Sequence, residues 1–297
     1  MPILTVVNHK GGTGKTTSVL HIAAAYGLSG QRVLLVDLDP QGFLTKTLGI
    51  PRPMPSDSSL ALFDAAVTLR ALGGIQRLKN FDLLPAATGM TRAQRGLNKP
   101  TDVFWIKEAL QHGHPYDLII FDTAAAVSVF SMNALVTSDH ALIPVTPEYQ
   151  PVVGAEQTFR TVQTVRQKLN PTLSDPFFLL TQVDARKRDH AAYTHYLRER
   201  YGERVLTAVI RTSAQLAEFA EGGATIFDRD ITSRGALDYA NAADELRQYV
   251  FEGASLGAPA PVAPVATPTP EENEVKAAAT EAGRLDEEID AARSKWV

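Results

Sequence analysis

The residues best suited to chemistry stand near the amino terminus, in the segment HKGGTGKTT at positions 9–17. Its glycines allow a backbone turn whose N–H groups converge on phosphate oxygens, and a helix opening after the turn adds the positive end of its dipole. The segment predicts a nucleotide site in which Lys15 neutralises the β- and γ-phosphates and the Thr16 hydroxyl binds Mg²⁺. The other expected phosphate contacts are Gly11, Gly12, Thr13, Gly14 and Thr17.

Two further segments end in carboxylates. The segment VLLVDLDPQG at 33–42 is an apolar run followed by Asp37 and Asp39, and DLIIFDT at 117–123 ends in Asp122. A carboxylate at the C-terminal end of a strand, facing a phosphate loop, is suited to orienting water or to holding a metal-bound water. The alternative is that Asp37 and Asp39 only cap a helix or form a turn. The segment that ends in Asp122 is a weak signal by itself, because many strands end in aspartate.

A second lysine, Lys10, lies five residues before Lys15, and His9 stands where the strict phosphate-loop motif has its first glycine. The Lys10 side chain therefore leaves the loop at the end opposite to Lys15. It would reach a phosphate across a two-fold interface more easily than its own γ-phosphate, as an arginine finger does in trans. The string KGGTGKT resembles the deviant Walker A motif of the ParA/MinD-type ATPases. The resemblance implies a homodimer that binds ATP and Mg²⁺ between its copies, with Lys10 crossing the interface.

Other segments are similar to the same family over residues 1 to about 250. The resemblance places Asp37 near the Mg²⁺ shell, makes Asp39 the group that orients or deprotonates the attacking water, and makes Asp122 the acid that holds a Mg²⁺-bound water. Gln182, in the segment TQVDAR, is the candidate contact to adenine, together with residues after 210. The chain departs from the family at Ala124 and Ala125, where two prolines are usual.

Three segments favour the DNA-partitioning ParA branch: the DPQG element, the PEY segment at 147–149 and the pattern S-x-x-A-x-x-Y at 233–239. That branch implies a slow ATPase whose ATP-bound dimer binds DNA non-specifically and is released when a ParB-like, centromere-binding partner stimulates hydrolysis. The alternative is an ATP-gated positioning or scaffold protein of the MinD-like type, acting on a protein or membrane surface. The family commonly has two arginines where this chain has Thr212 and Gln215. The candidate DNA contacts are Arg186, Lys187, Arg188, Arg211, Arg229 and Arg234.

The elements that must position these residues follow from the alternation of short apolar runs with longer segments of helical period. The pattern predicts an α/β fold of the P-loop NTPase class, with a mostly parallel, twisted sheet covered by helices on both faces. Predicted strands span 3–8, 32–37, 81–85, 117–122, 141–145, 177–181 and 205–210. Predicted helices span 15–28, 103–111, 130–137, 153–169, 190–201 and 234–251.

Composition and charge bound the remaining possibilities. The 297 residues include no cysteine, which excludes disulfides, thiolate zinc sites and iron–sulfur clusters. We predict an ATPase domain over 1–252, a Pro/Ala-rich linker over 253–270 and an acidic, helical tail over 271–297. The tail holds eight acidic and four basic residues, so its formal charge of −4 equals the net charge of the whole chain. We therefore expect a cytoplasmic, nucleoid-associated protein that binds no membrane and contacts DNA through a local basic patch.

Overall fold

The computed structural model of the chain describes residues 1–64, 66–218 and 224–254. One sheet runs through this part of the chain, with its strands in the order β3-β4-β2-β5-β1-β6-β7-β8. Neighbouring strands are parallel except at the edge, where β3 pairs antiparallel to β4. The strands are β1 Ile3–Val6, β2 Val33–Asp37, β3 Gln76–Arg77, β4 Asp82–Leu84, β5 Leu118–Asp122, β6 His140–Val145, β7 Phe177–Val183 and β8 Val205–Arg211.

The predicted sheet is confirmed, because each predicted apolar run corresponds to a strand, within three residues at either end. Strands β1, β2 and β5 are buried along their whole length, as expected of strands that are covered on both faces. Strand β3 was not predicted. Its residues Gln76 and Arg77 are exposed and polar, so the strand has no apolar pattern to reveal it.

Helices pack on both faces of the sheet. Helices α1 and α10 share one apolar core with β1, β2 and β5, whereas α4 and α5 cover the other face of the same strands. The helices are α1 Lys15–Leu28, α2 Phe43–Thr47, α3 Met90–Gln94, α4 Trp105–Leu110, α5 Val129–Thr137, α6 Tyr149–Lys168, α7 Arg188–Tyr201, α8 Ala214–Glu218, α9 Ile226–Arg229 and α10 Arg234–Val250. Helices α2, α3, α8 and α9 were not predicted, because four or five residues are too few to show a helical period.

Helix α6 begins at Tyr149 and not at Val153 as predicted. Pro151 lies in the first turn of this helix, where proline is tolerated because its missing N–H would have no partner. The early start matters for the site, because it brings Gln150 into the helix, beside the phosphate loop.

Within the described residues, no helix is long and apolar enough to cross a membrane. The predicted acidic tail, and the predicted linker from residue 255 onward, lie outside the described residues.

Candidate nucleotide site

The glycine-rich loop connects the C-terminal end of β1 to the first residue of α1. Gly12 and Gly14 have φ angles of 76° and 80°, a left-handed conformation that glycine adopts at little cost. Gly14 is the N-cap residue of α1, and as a glycine it has no side chain that could bind the first N–H groups of the helix. The first N–H groups of α1 therefore remain available to a ligand, and the helix dipole favours an anionic one.

The two lysines of the loop point in different directions. Lys15 is buried, and its Nζ donates to the Lys10 carbonyl oxygen inside the loop at 3.0 Å. Burial lowers the pKa of Lys15, while the carboxylates Asp122 and Asp39 act in the opposite direction. Lys10 Nζ instead lies at the surface and donates to Gln150 Oε1 in α6 at 2.9 Å. Only Lys15 is thus turned into the phosphate loop of its own chain.

His9, which replaces the first glycine of the strict motif, supports the loop through its backbone. Its N–H donates to Thr158 Oγ1 of α6 at 2.9 Å. The side chain is half-buried, and burial, followed by the charge of Lys15, lowers its pKa to about 4. His9 is therefore a neutral side chain at physiological pH.

Two of the three predicted metal-site residues touch each other. Thr16 Oγ1 donates to Asp122 Oδ2 at 2.9 Å. The other oxygen, Asp122 Oδ1, is buried and has no hydrogen-bond partner among the described residues. Burial raises the pKa of Asp122 well above its ordinary value, and the neighbouring Asp37 raises it further. An unpaired buried acceptor beside a hydroxyl fits a Mg²⁺ ion with its bound waters.

Asp37 lies directly beside Asp122, because β2 and β5 pair in register at these two residues. Its carboxylate is already occupied, however. Asp37 Oδ2 accepts from Thr45 N and Thr45 Oγ1 at 2.9 and 2.6 Å, and Oδ1 accepts from Asp39 N at 3.1 Å. Burial raises the pKa of Asp37 to about 6 despite these hydrogen bonds. In this arrangement Asp37 anchors helix α2 and the turn that carries Asp39.

No group of three or more His, Cys, Asp or Glu side chains in the described part of the chain forms a metal cluster by itself.

The loop is held from its other side by the end of β7. Thr181 Oγ1 donates to the Thr13 carbonyl at 2.9 Å, and Gln182 Nε2 donates to the Gly12 carbonyl at 2.6 Å. Gln182 has a φ of 54°, and no other non-glycine residue in the described ranges has a positive φ. A cavity of about 380 Å³, lined by Gln182, Gly12 and Thr212 among others, opens beside these contacts. The predicted adenine contact therefore borders a cavity of ligand size.

The candidate DNA contacts do not form one free basic patch. Among the described residues, Arg186 pairs with Asp184, Lys187 with Glu148 and Arg211 with Asp238. Arg188 begins α7, Arg229 ends α9 and Arg234 begins α10, and all three are exposed. The two groups around residues 186–188 and 229–234 belong to different elements.

The start of α6 contributes residues that the sequence did not indicate. Glu148 Oε1 contacts Lys187 Nζ at 2.9 Å and His190 Nε2 at 3.0 Å. The buried His190 accepts the Asp184 N–H at its Nδ1, so the hydrogen of the neutral ring is on Nε2 and is donated to Glu148. One short segment, 148–150, thus holds both Lys187 and, through Gln150, Lys10.

A glycine-rich loop between the buried parallel strand β1 and a helix, with aspartates at the ends of the paired strands β2 and β5, is typical of the P-loop class of nucleotide-binding proteins. The family model described as an AAA domain matches residues 1–174. The chain is 34% identical over 250 residues to the chromosome-partitioning ATPase Soj of Thermus thermophilus, a match that covers 84% of this chain and 96% of Soj. It is 30% identical to the chromosome partitioning protein ParA of Myxococcus xanthus, covering 82% and 87% of the two chains. The chain belongs to this Soj/ParA family of partitioning ATPases.

Solved structures show the same fold. A putative plasmid partition protein from Borrelia burgdorferi bound to AMPPNP superposes with a TM-score of 0.71 at 24% identity, covering 84% of this chain and 99% of that one. Cobyrinic acid a,c-diamide synthase from Mycobacterium smegmatis, with bound ADP and magnesium, superposes with a TM-score of 0.67 at 28% identity, covering 88% and 100%.

Proposed function

We propose that this chain is an ATP-dependent DNA-partition ATPase that acts as a homodimer, with two ATP molecules and Mg²⁺ between its copies. The different directions of the two loop lysines carry the proposal. Lys15 is directed into its own loop, whereas Lys10 is held at the surface by Gln150. A cation at the surface, beside a phosphate loop, is placed to reach a nucleotide in a second copy.

The residues around the loop have the properties that hydrolysis needs. Lys15 would neutralise the β- and γ-phosphates, and Thr16 with Asp122 would hold Mg²⁺. When bound, the metal offsets negative charge on the phosphates. Asp39 is nearly buried, and its Oδ1 accepts the Gln41 N–H at 2.8 Å. Its other oxygen would orient or deprotonate the water that attacks the γ-phosphate.

DNA binding completes the proposal. ATP would favour the dimer, because the nucleotide has additional contacts there, and the dimer would bring basic residues from two copies onto one surface. Such a surface contacts phosphates without distinguishing bases, so its affinity falls steeply with salt. A ParB-like partner at a centromere-like site would stimulate slow hydrolysis and release the dimer from the nucleoid, in the cytoplasm and without a membrane.

The experiment is sedimentation of the chain with DNA, in the presence of ATP, of ADP and without nucleotide. We expect binding with ATP only, and loss of that binding in Lys10→Ala. Lys107→Ala is the matched control, since Lys107 is an exposed lysine of α4 far along the chain from the loop. Equal binding in all three nucleotide states would refute the switch.

The ion pairs of Arg186, Lys187 and Arg211 favour one second candidate, a positioning or scaffold protein that uses the same ATP-gated dimer on a protein or membrane surface. Reversing the charges of Arg186, Lys187 and Arg188 separates the two candidates. DNA partition predicts that the variant leaves the nucleoid, whereas the second candidate predicts an unchanged location.

A further inference from the structure

The turn that carries Asp39 is covered on its outer side by Arg52. Arg52 Nη2 donates to the carbonyl oxygen of Pro40. Gly42 closes the turn by donating its N–H to the Asp39 carbonyl at 2.8 Å. A Cβ atom added at Gly42 would lie only 2.9 Å from Arg52 Nε. The guanidinium group therefore occupies the space that a side chain at position 42 would need.

The segment that presents Arg52 has little conformational freedom. Pro51 and Pro53 flank the arginine. Proline fixes its own φ angle, and a residue that precedes proline is restricted to extended conformations. The segment is also tied to helix α2, because Ile50 N donates to the Thr45 carbonyl at 3.1 Å. Arg52 is thus held in place by its own backbone as well as by its contact with Pro40.

The charge of Arg52 is not used in an ion pair within the described ranges, and its buried Nε has no hydrogen-bond partner there. A buried guanidinium nitrogen without a partner is unfavourable in a folded protein. Within the described ranges, the side chain is held by its hydrogen bond to the Pro40 carbonyl and by its packing against Gly42.

We propose that Arg52 is a positioning residue for ATP hydrolysis, which acts through the peptide group between Pro40 and Gln41. The Pro40 carbonyl and the Gln41 N–H belong to the same planar peptide unit. Arg52 holds the carbonyl at one end, and the N–H at the other end donates to Asp39 Oδ1 at 2.8 Å. By fixing this peptide plane, Arg52 fixes the direction of the Asp39 carboxylate. The inference rests on the proposed role of Asp39 in hydrolysis.

The test compares Arg52→Ala and Arg52→Lys with wild type in steady-state ATP hydrolysis, with Arg92→Ala, an exposed arginine of α3, as the control. We expect Arg52→Ala to lower kcat about tenfold at an unchanged KM for ATP, the size expected for one hydrogen bond from a charged donor. Arg52→Lys retains a donor for the Pro40 carbonyl and should recover part of this loss. Wild-type kcat in Arg52→Ala, or a change confined to KM, would overturn the inference.

Gly42→Ala provides a second route that retains the arginine. Its Cβ would displace the guanidinium, and the φ of 60° at Gly42 adds backbone strain to the same turn, so kcat should fall at least as far as in Arg52→Ala. Because both changes act on one contact, the double variant should lose no more than the more affected single variant. Fully additive losses would overturn the inference.

Asp39→Ala separates this inference from the function on which it rests. Normal hydrolysis by Asp39→Ala would refute the proposed role of Asp39. An inactive Asp39→Ala beside a fully active Arg52→Ala would refute the role of Arg52 alone.

Discussion

Replacing Asp37 with asparagine is expected to change how the stability of the nucleotide-free chain depends on pH. The carboxyl group of Asp37 is fully buried, and burial raises its pKa from 3.8 to about 6. The folded chain therefore binds this proton more tightly than the unfolded chain does. Well below pH 3.8 the group is protonated in both states and costs no stability. As the pH rises above 3.8 the unfolded chain releases this proton while the folded chain keeps it up to about pH 6, so stability is lost over this range.

The size of the effect follows from the shift in pKa. A shift of about two units, at about 1.4 kcal/mol for each unit, corresponds to a loss of about 3 kcal/mol at neutral pH. Between pH 4.5 and pH 7 about 2 kcal/mol of this loss develops. Asparagine cannot accept all the hydrogen bonds that Thr45 and Asp39 donate to Asp37, but that cost is the same at every pH. The difference in stability between variant and wild type should therefore move by about 2 kcal/mol in favour of the variant as the pH rises.

The measurement is urea unfolding of both proteins from pH 4.5 to pH 7, in the presence of a chelator and without nucleotide. The control is Asp117→Asn. Arg32 lowers the pKa of the Asp117 carboxyl to about 2, so its stabilisation is present above about pH 4 and is lost only below it. The effect of Asp117→Asn should be constant over the measured range. A constant effect of Asp37→Asn, or one that moves in favour of wild type with rising pH, would refute the reasoning.

Three other changes test the site. Lys15→Ala should weaken ATP binding about 100-fold by calorimetry, because it removes the only buried cation of the loop; wild-type affinity would contradict the assignment of the loop. Gln150→Glu should hold Lys10 more firmly, because it adds an ion pair to the contact. The chain concentration needed for the ATP-dependent dimer, measured by sedimentation velocity, should then rise about two- to fivefold. Tighter association would contradict the role of Gln150. Glu148→Gln should release Lys187 from its ion pair. In filter binding, the affinity for DNA should then increase severalfold at low salt and depend more steeply on salt concentration. An unchanged affinity and an unchanged salt dependence would show that Lys187 does not contact DNA.

The sequence predicted the parts of the site that depend on local chemistry. The loop glycines, Lys15 and Thr16 follow one another in a short segment, and their spacing alone indicates a phosphate site. Asp37 and Asp122 each end an apolar run that was predicted as a strand, and the resemblance assigned both to the Mg²⁺ site. The structure pairs these two residues in register at the ends of β2 and β5.

The parts that could not be predicted depend on contacts between distant segments. Thr45 gives no sign in the sequence that it anchors Asp37, and Gln150 gives none that it holds Lys10 from 140 residues away. The predicted DNA-contacting residues depend on distant contacts in the same way. The resemblance to the family identified Arg186 and Arg211 as candidates, but whether a carboxylate neutralises each of them depends on the folded arrangement.

The order of the strands also has a consequence for the synthesis of the chain. The loop at residues 9–17 leaves the ribosome early, but Thr16 meets Asp122 across 106 residues, and Gly12 meets Gln182 across 170. Strand β1 lies between β5 and β6, so its first partner strand is made more than 110 residues later and its second with β6. In a nascent chain the phosphate loop is therefore made long before Asp122, the residue that contacts Thr16. Contacts between residues this far apart in the sequence also form slowly. The hydrogen bonds from Thr181 and Gln182 to the loop can form only after translation has passed the end of β7.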